Sequence, residues 1–218
     1  MIKDWMTSIP KGEICLRDDR KKTTWNATIE PFLMSKYLIT QEIYSEVMLT
    51  NPSISRGIQK PVENVSWFDA IKFCNALSES SGLNKYYHVN VENESVEIIQ
   101  GANGYRLPTD AEWEYSCRAL SESVQYGVIE DIAWYERNAN GTTHEVGLKQ
   151  SNEFGLFDML GNVWEWCWDL YDPDVYGSYR IFRGGGWSDD SRGCLASNRR
   201  RSHPTYAIDD LGFRVARS

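Results

Sequence analysis

Apolar positions recur at helical spacing in three stretches of the first half of the chain. In "IEPFLMSKYLITQEIYSEVM" an extended run gives way to a helix over about Thr40 to Met48, with Thr40 able to accept from first-turn amides and Ile43, Val47 and Met48 at helical spacing. "PVENVSWFDAIKFCNALSES" is clearer. Ser66 and Asp69 form a capping box, and Trp67, Ala70, Ile71, Cys74 and Leu77 make one apolar stripe, so a core-facing helix ends near Gly82 and Cys74 is a small buried hydrophobe. "NKYYHVNVENESVEIIQ" alternates in part, which predicts a hairpin with a polar turn at Asn93 and Glu94 and His88 on a surface strand. A third helix opens in "GYRLPTDAEWEYSCRAL", where Pro108 stands outside, Thr109 and Glu112 make a second box, and Ala111, Tyr115, Arg118 and Ala119 continue the turns.

Beyond Ser121 no stable period of 2 or 3.6 persists, apart from short strand-like ends such as "GFRVAR". The pattern predicts one α+β domain over residues 1–218, its C-terminal half mostly loop around short strands, with residues 1–28 as an N-terminal extension of the same domain. An aromatic content of 13% with nine Trp fits this, because large rings with one donor can anchor irregular backbone.

Charge narrows the partners. A net charge of -8 argues against nonspecific nucleic-acid binding, which needs a basic face. From Arg180 to the C-terminus, however, there are eight Arg and no Lys against four Asp and no Glu, so this segment is locally basic. No apolar run suits a membrane span or signal peptide, which places the chain in the cytoplasm, and five cysteines there are expected to be free thiols.

The common catalytic and phosphate-binding motifs are missing, and His88, His144 and His203 lie far apart. Two stretches remain. In "DMLGNVWEW", Asp158, Glu165 and carbonyls near Gly161 can make an oxygen-rich calcium site; equally, Asp158 can cap backbone amides while Glu165 pairs with an arginine. In "RIFRGGGWSDDSRGCLASNRRR", Cys194 stands among charges, and Arg192, Arg199 and Arg200 nearby would favour its thiolate. On an extended strand Arg199 and Arg201 would point one way, toward Asp209 or Asp210, and Arg200 the other.

The blocks "PVENVSWFDAIKFCNALSE", "YRLPTDAEWEYSCRA", "FGLFDMLGNVWEWCWD", "FRGGGW" and "DLGFRVA" follow the order and approximate spacing of the formylglycine-generating enzyme (sulfatase-modifying factor) family, which the chain resembles from about Ile29 onward. The resemblance implies a C-type-lectin-like fold with little regular secondary structure. It also implies structural calcium on the Asp158 and Glu165 side chains and the Gly161 and Val163 carbonyls. A second calcium site of some members has no counterpart in "AWYERNANG".

The family's best-known members hold copper(I) between two cysteines. The second falls on Cys194, but the first falls on Asp189, and a carboxylate in place of a sulfur weakens the preference for copper(I). A serine of the enzymes' glycine turn becomes Gly186, and an asparagine before the last block becomes Asp210, whereas Trp164 and Arg199 match residues lining the family pocket.

Two functions follow from the resemblance. One is an oxidase or other modifier of a peptide or small thiol, with Cys194 as ligand or thiolate, Asp189 as second ligand or base, Trp164 lining the cleft, and Arg199 orienting an anionic group. The other is a non-catalytic binding module for a peptide, protein or small anionic ligand, like the variable proteins of diversity-generating retroelements, using Trp187, Asp190, Arg200, Arg201, His203 and Asp210. Iron-dependent sulfoxide synthases share the domain, but this chain lacks their histidines and helical domain.

Overall fold

The computed structural model describes residues 2–90 and 95–218. After a 3-10 turn at Ile2–Trp5 come β1 (Met6–Ile9), β2 (Gly12–Asp18), β3 (Thr23–Ile29), β4 (Phe32–Ser35), α1 (Gln41–Met48) and α2 (Trp67–Ser80). Then follow β5 (Tyr87–Asn90), β6 (Ser95–Ile98), α3 (Asp110–Arg118), α4 (Ile129–Ile132), β7 (Ala133–Trp134), β8 (Leu160–Gly161) and β9 (Trp164–Leu170). The chain ends with α5 (Pro173–Tyr176), β10 (Arg180–Arg183), β11 (Arg199–Ser202), β12 (Leu211–Gly212) and β13 (Ala216–Arg217). This is an α+β, loop-rich fold.

The three predicted helices form where their caps place them. Thr40 accepts from the Ile43 amide, and both capping boxes close, Ser66 with Asp69 and Thr109 with Glu112. The α2 stripe is buried, Cys74 included. Helix α3 ends one residue earlier than its apolar pattern predicts: Ala119 takes a left-handed φ of 45° and stops it. Its inner face carries Asp110 and Glu114 alongside Trp113 and Cys117, because both carboxylates are matched by the buried Arg183. Strands β5 and β6 pair as the predicted hairpin, with His88 exposed; the expected turn at Asn93 and Glu94 lies outside the described residues.

Strand β9 escapes a periodicity argument because it is central. It pairs antiparallel with β10 and parallel with β12, and β11 completes the sheet order β11-β10-β9-β12. Trp164 and Trp166 pack with Phe182 and Phe213 in one core cluster, and Cys167 with Ile181 and Trp113 in another. With both faces buried, no polar position alternates. The tryptophans also tie loops down: Trp67 donates to the Cys167 carbonyl at 2.9 Å and Trp166 to that of Val65 at 3.0 Å.

Residues 2–28 are built into this domain. Strand β1 joins β4 and β13 in a three-stranded sheet, while β2 and β3 form a hairpin in register from Gly12↔Ile29 to Asp18↔Thr23. Its tip reaches the C-terminal segment, where Arg199 pairs with Asp18 across 181 positions of sequence.

Candidate functional site

The glycine turn after β10 organises the site. Gly185 has a φ of 83°, and a Cβ there would stand 2.7 Å from the Cys194 sulfur; a Cβ on Gly186 would stand 2.9 Å from that of Asp210. The thiol therefore lies against bare backbone. Cys194 is fully buried, and burial first, then the charges of Asp189 and Asp190, push its pKa up to about 12. Arg200 does act toward the thiolate, as expected of a nearby arginine, but burial and the two aspartate charges outweigh it; Arg199 is committed to Asp18 at 2.8 Å and Asp110 at 3.0 Å, and Arg200 to Asp189 at 2.9 Å.

Both oxygens of Asp189 are engaged. One accepts from the Trp164 indole at 2.7 Å and the Gly186 amide at 2.9 Å, and the other from Arg200. Copper(I) requires soft ligands that can shed a proton and reach the metal. One buried thiol beside a hard carboxylate that is engaged by Trp164, Gly186 and Arg200 is not the two-thiolate donor set that suits copper(I).

The consecutive arginines alternate as an extended strand requires. Arg199 and Arg201 both lie over Tyr171, at 5.3 and 4.4 Å, and Arg201 also donates to the Tyr176 hydroxyl at 2.6 Å. Their partners are thus Asp18, Asp110 and the tyrosines, not Asp209 or Asp210. Arg200 points the other way, 4.6 Å over the Trp164 ring.

The expected ligand-binding residues fall in three places. Trp187 donates to the Asp209 carbonyl at 3.0 Å, Asp210 accepts from Ser188 at 2.9 Å with its pKa raised by burial, and both stand with Trp164, Asp189 and Arg200. Asp190 accepts from the amides of Arg192 and Gly193, each at 3.0 Å, and shapes the loop before β11. Arg201 and His203 instead join a tyrosine group: Arg201 over Tyr176, and His203 6.1 Å from Tyr179.

The loop expected to bind calcium is organised differently. Asp158 accepts from the Gly147 amide at 2.7 Å, and burial pushes its pKa up to about 6; its other oxygen has no partner among the described residues. Glu165 receives Arg214 through both oxygens, at 2.6 and 3.0 Å, and all of these atoms are buried. The same guanidinium reaches the Phe157 and Asp158 carbonyls at 2.9 and 3.4 Å.

A fixed positive charge inside the would-be coordination shell repels a second cation, so Asp158, Gly161, Val163 and Glu165 do not fit calcium. Gly161 serves a close backbone approach instead, since a Cβ would stand 2.3 Å from the Trp134 carbonyl oxygen. Val163 is simply buried. The other reading of this stretch, an amide-capping Asp158 and an arginine-paired Glu165, is the one found.

Sequence reasoning missed Asp18, Asp110 and Glu114, which anchor Arg199 and Arg183. No local pattern marks a pair 181 positions apart.

A loop-rich α+β chain with this glycine turn, and with two tryptophan-anchored core clusters, has the C-type-lectin-like architecture of formylglycine-generating enzymes. The chain belongs to that family: residues 3–218 match the sulfatase-modifying factor enzyme 1-like domain. Chaperone protein LppX of Paenibacillus barcinonensis is 36% identical over 230 residues, 88% of this chain and 82% of that one. The formylglycine-generating enzyme of Streptomyces coelicolor is 30% identical over 175 residues, 65% of this chain and 55% of that one. Among solved structures, Treponema denticola variable protein 1 superposes with a TM-score of 0.88 and 30% identity, covering 97% of this chain and 94% of that one.

Proposed function

We propose that the protein is a ligand-recognition module on the formylglycine-generating-enzyme scaffold, without the oxidase chemistry. The observation that carries this reading is the setting of Cys194: fully buried and packed on Gly185, where burial raises its pKa, with Asp189 holding Trp164, Gly186 and Arg200. Such residues shape a surface but offer no nucleophile.

Around them the exposed face is rich in adaptable polar groups, with Trp187 as an aromatic anchor and Asp190, Arg200 and Asp210 at its rim. A peptide, protein or small anionic ligand suits such a face. Similarity to Treponema denticola variable protein 1 over nearly the whole chain supports a binding role on this scaffold. No helix among the described residues is long and apolar enough to cross a membrane.

Anaerobic copper(I) titration with thiol counting tests the reading. The expected result is no thiolate-to-copper absorption beyond that of the exposed Cys15, the one thiol expected to react in the native protein. A copper band that disappears in Cys194→Ser would restore the oxidase.

A further inference from the structure

The face just described adjoins a cleft of about 320 Å³ between the β2–β3 tip and the loop before β11. In a chain of net charge -8, this cleft is lined by five arginines and three aspartates. Three of the arginines are satisfied. Arg17 pairs with Asp19, Arg199 with Asp18 and Asp110, and Arg200 with Asp189.

Arg20 and Arg192 have no ion-pair partner among the described residues, although they line one cavity from opposite walls. The remaining lining carboxylate, Asp190, spends one oxygen on the amides of Arg192 and Gly193. Two exposed arginines without an ion-pair partner on the lining of one concave space raise its potential, and each guanidinium offers a planar fork that matches carboxylate or phosphate oxygens.

Both walls are held before any ligand arrives. Asp18 accepts from the amides of Arg20 at 2.9 Å and Lys21 at 3.0 Å, and from Arg199, which ties the hairpin tip to β11. Although burial opposes it, the Lys21 amide, the Tyr171 hydroxyl and Arg199 hold the Asp18 carboxyl below its usual range, so this tie is charged at neutral pH. On the other wall Asn198 donates to the carbonyls of Arg192 and Gly193. A wall already ordered spares a ligand that entropic cost, and the volume is at the lower end of small-molecule sites.

We propose that this cleft binds a small oxyanion ligand, one carrying a carboxylate or phosphate group, between Arg20 and Arg192. The inference rests on the recognition reading and names its ligand chemistry. The two fail separately, since copper binding bears on that reading and anion binding on this cleft.

The test is an NMR titration of the amides of residues 18–21 and 190–198 with inorganic phosphate and with acetate, against sodium chloride at equal ionic strength. Saturable shifts confined to these amides are expected, and Arg20→Gln or Arg192→Gln should each weaken binding about tenfold with an unchanged melting temperature, both residues being exposed. Tighter phosphate binding assigns a phosphate-bearing ligand, and tighter acetate binding a carboxylate. Shifts no larger than those with chloride, or a double variant that binds like the wild type, would overturn the proposal.

Discussion

The Trp164 indole donates to the Asp189 carboxylate at 2.7 Å, and Trp164 itself is only 1% exposed. Asp189 therefore acts as a half-buried acceptor. It fixes the ring over which Arg200 lies and closes the glycine turn through the Gly186 amide.

Asp189→Ala should cost about 2–4 kcal/mol, because the indole N–H and the Gly186 amide both lose their acceptor and Arg200 loses its partner. Asp189→Asn keeps one acceptor oxygen and should cost less. Urea denaturation measures both. An alanine variant as stable as wild type would mean that water satisfies these donors.

Chelation should leave the protein unchanged. With Arg214 supplying the positive charge beside Glu165, EDTA is expected not to move the melting temperature and added calcium not to raise it. Arg214→Leu should instead destabilise by about 3–5 kcal/mol by leaving a buried carboxylate alone, and Arg214→Leu/Glu165→Leu should recover part of that loss. A calcium-dependent rise in melting temperature would contradict the arrangement.

Asp169 gives a pH dependence with a definite sign. Burial first, then the neighbouring Asp110 charge, raise its pKa from 3.8 to about 6, while the Asp110 amide donates to it at 2.6 Å and acts the other way. The folded state thus binds this proton more tightly than the unfolded chain does. Its contribution favours folding as pH falls from about 6 toward 3.8, and is lost as pH rises through the same window. Asp169→Asn should raise stability by about 1–2 kcal/mol at pH 7.5 and remove that part of the slope. Melting curves of both proteins across pH 4–7.5, taken as differences, decide it; parallel profiles would show that Asp169 is not the titrating group.

Part of the site was legible without coordinates. The caps at Thr40, Ser66 and Thr109 act over three residues, so the sequence around them is the whole of the interaction. Strand alternation likewise placed Arg200 opposite Arg199 and Arg201, and the residue chemistry of "DMLGNVWEW" already contained the arginine-paired Glu165 as one of its two readings. The matched blocks carried the fold, because they hold the glycine turn and the tryptophans that anchor loops.

Only the tertiary structure decided the chemistry. Whether Cys194 is a thiolate depends on how much water and which charges reach it, and burial against Gly185 with the charges of Asp189 and Asp190 outweighs the opposing pull of Arg200. Arg199 finds Asp18 across 181 positions, and that contact makes one wall of the basic cleft from residues 17–20. Short-range hydrogen bonding and side-chain period are local properties and can be read along a chain; desolvation and ion pairing depend on which distant segments pack together, and the folded chain alone fixes that.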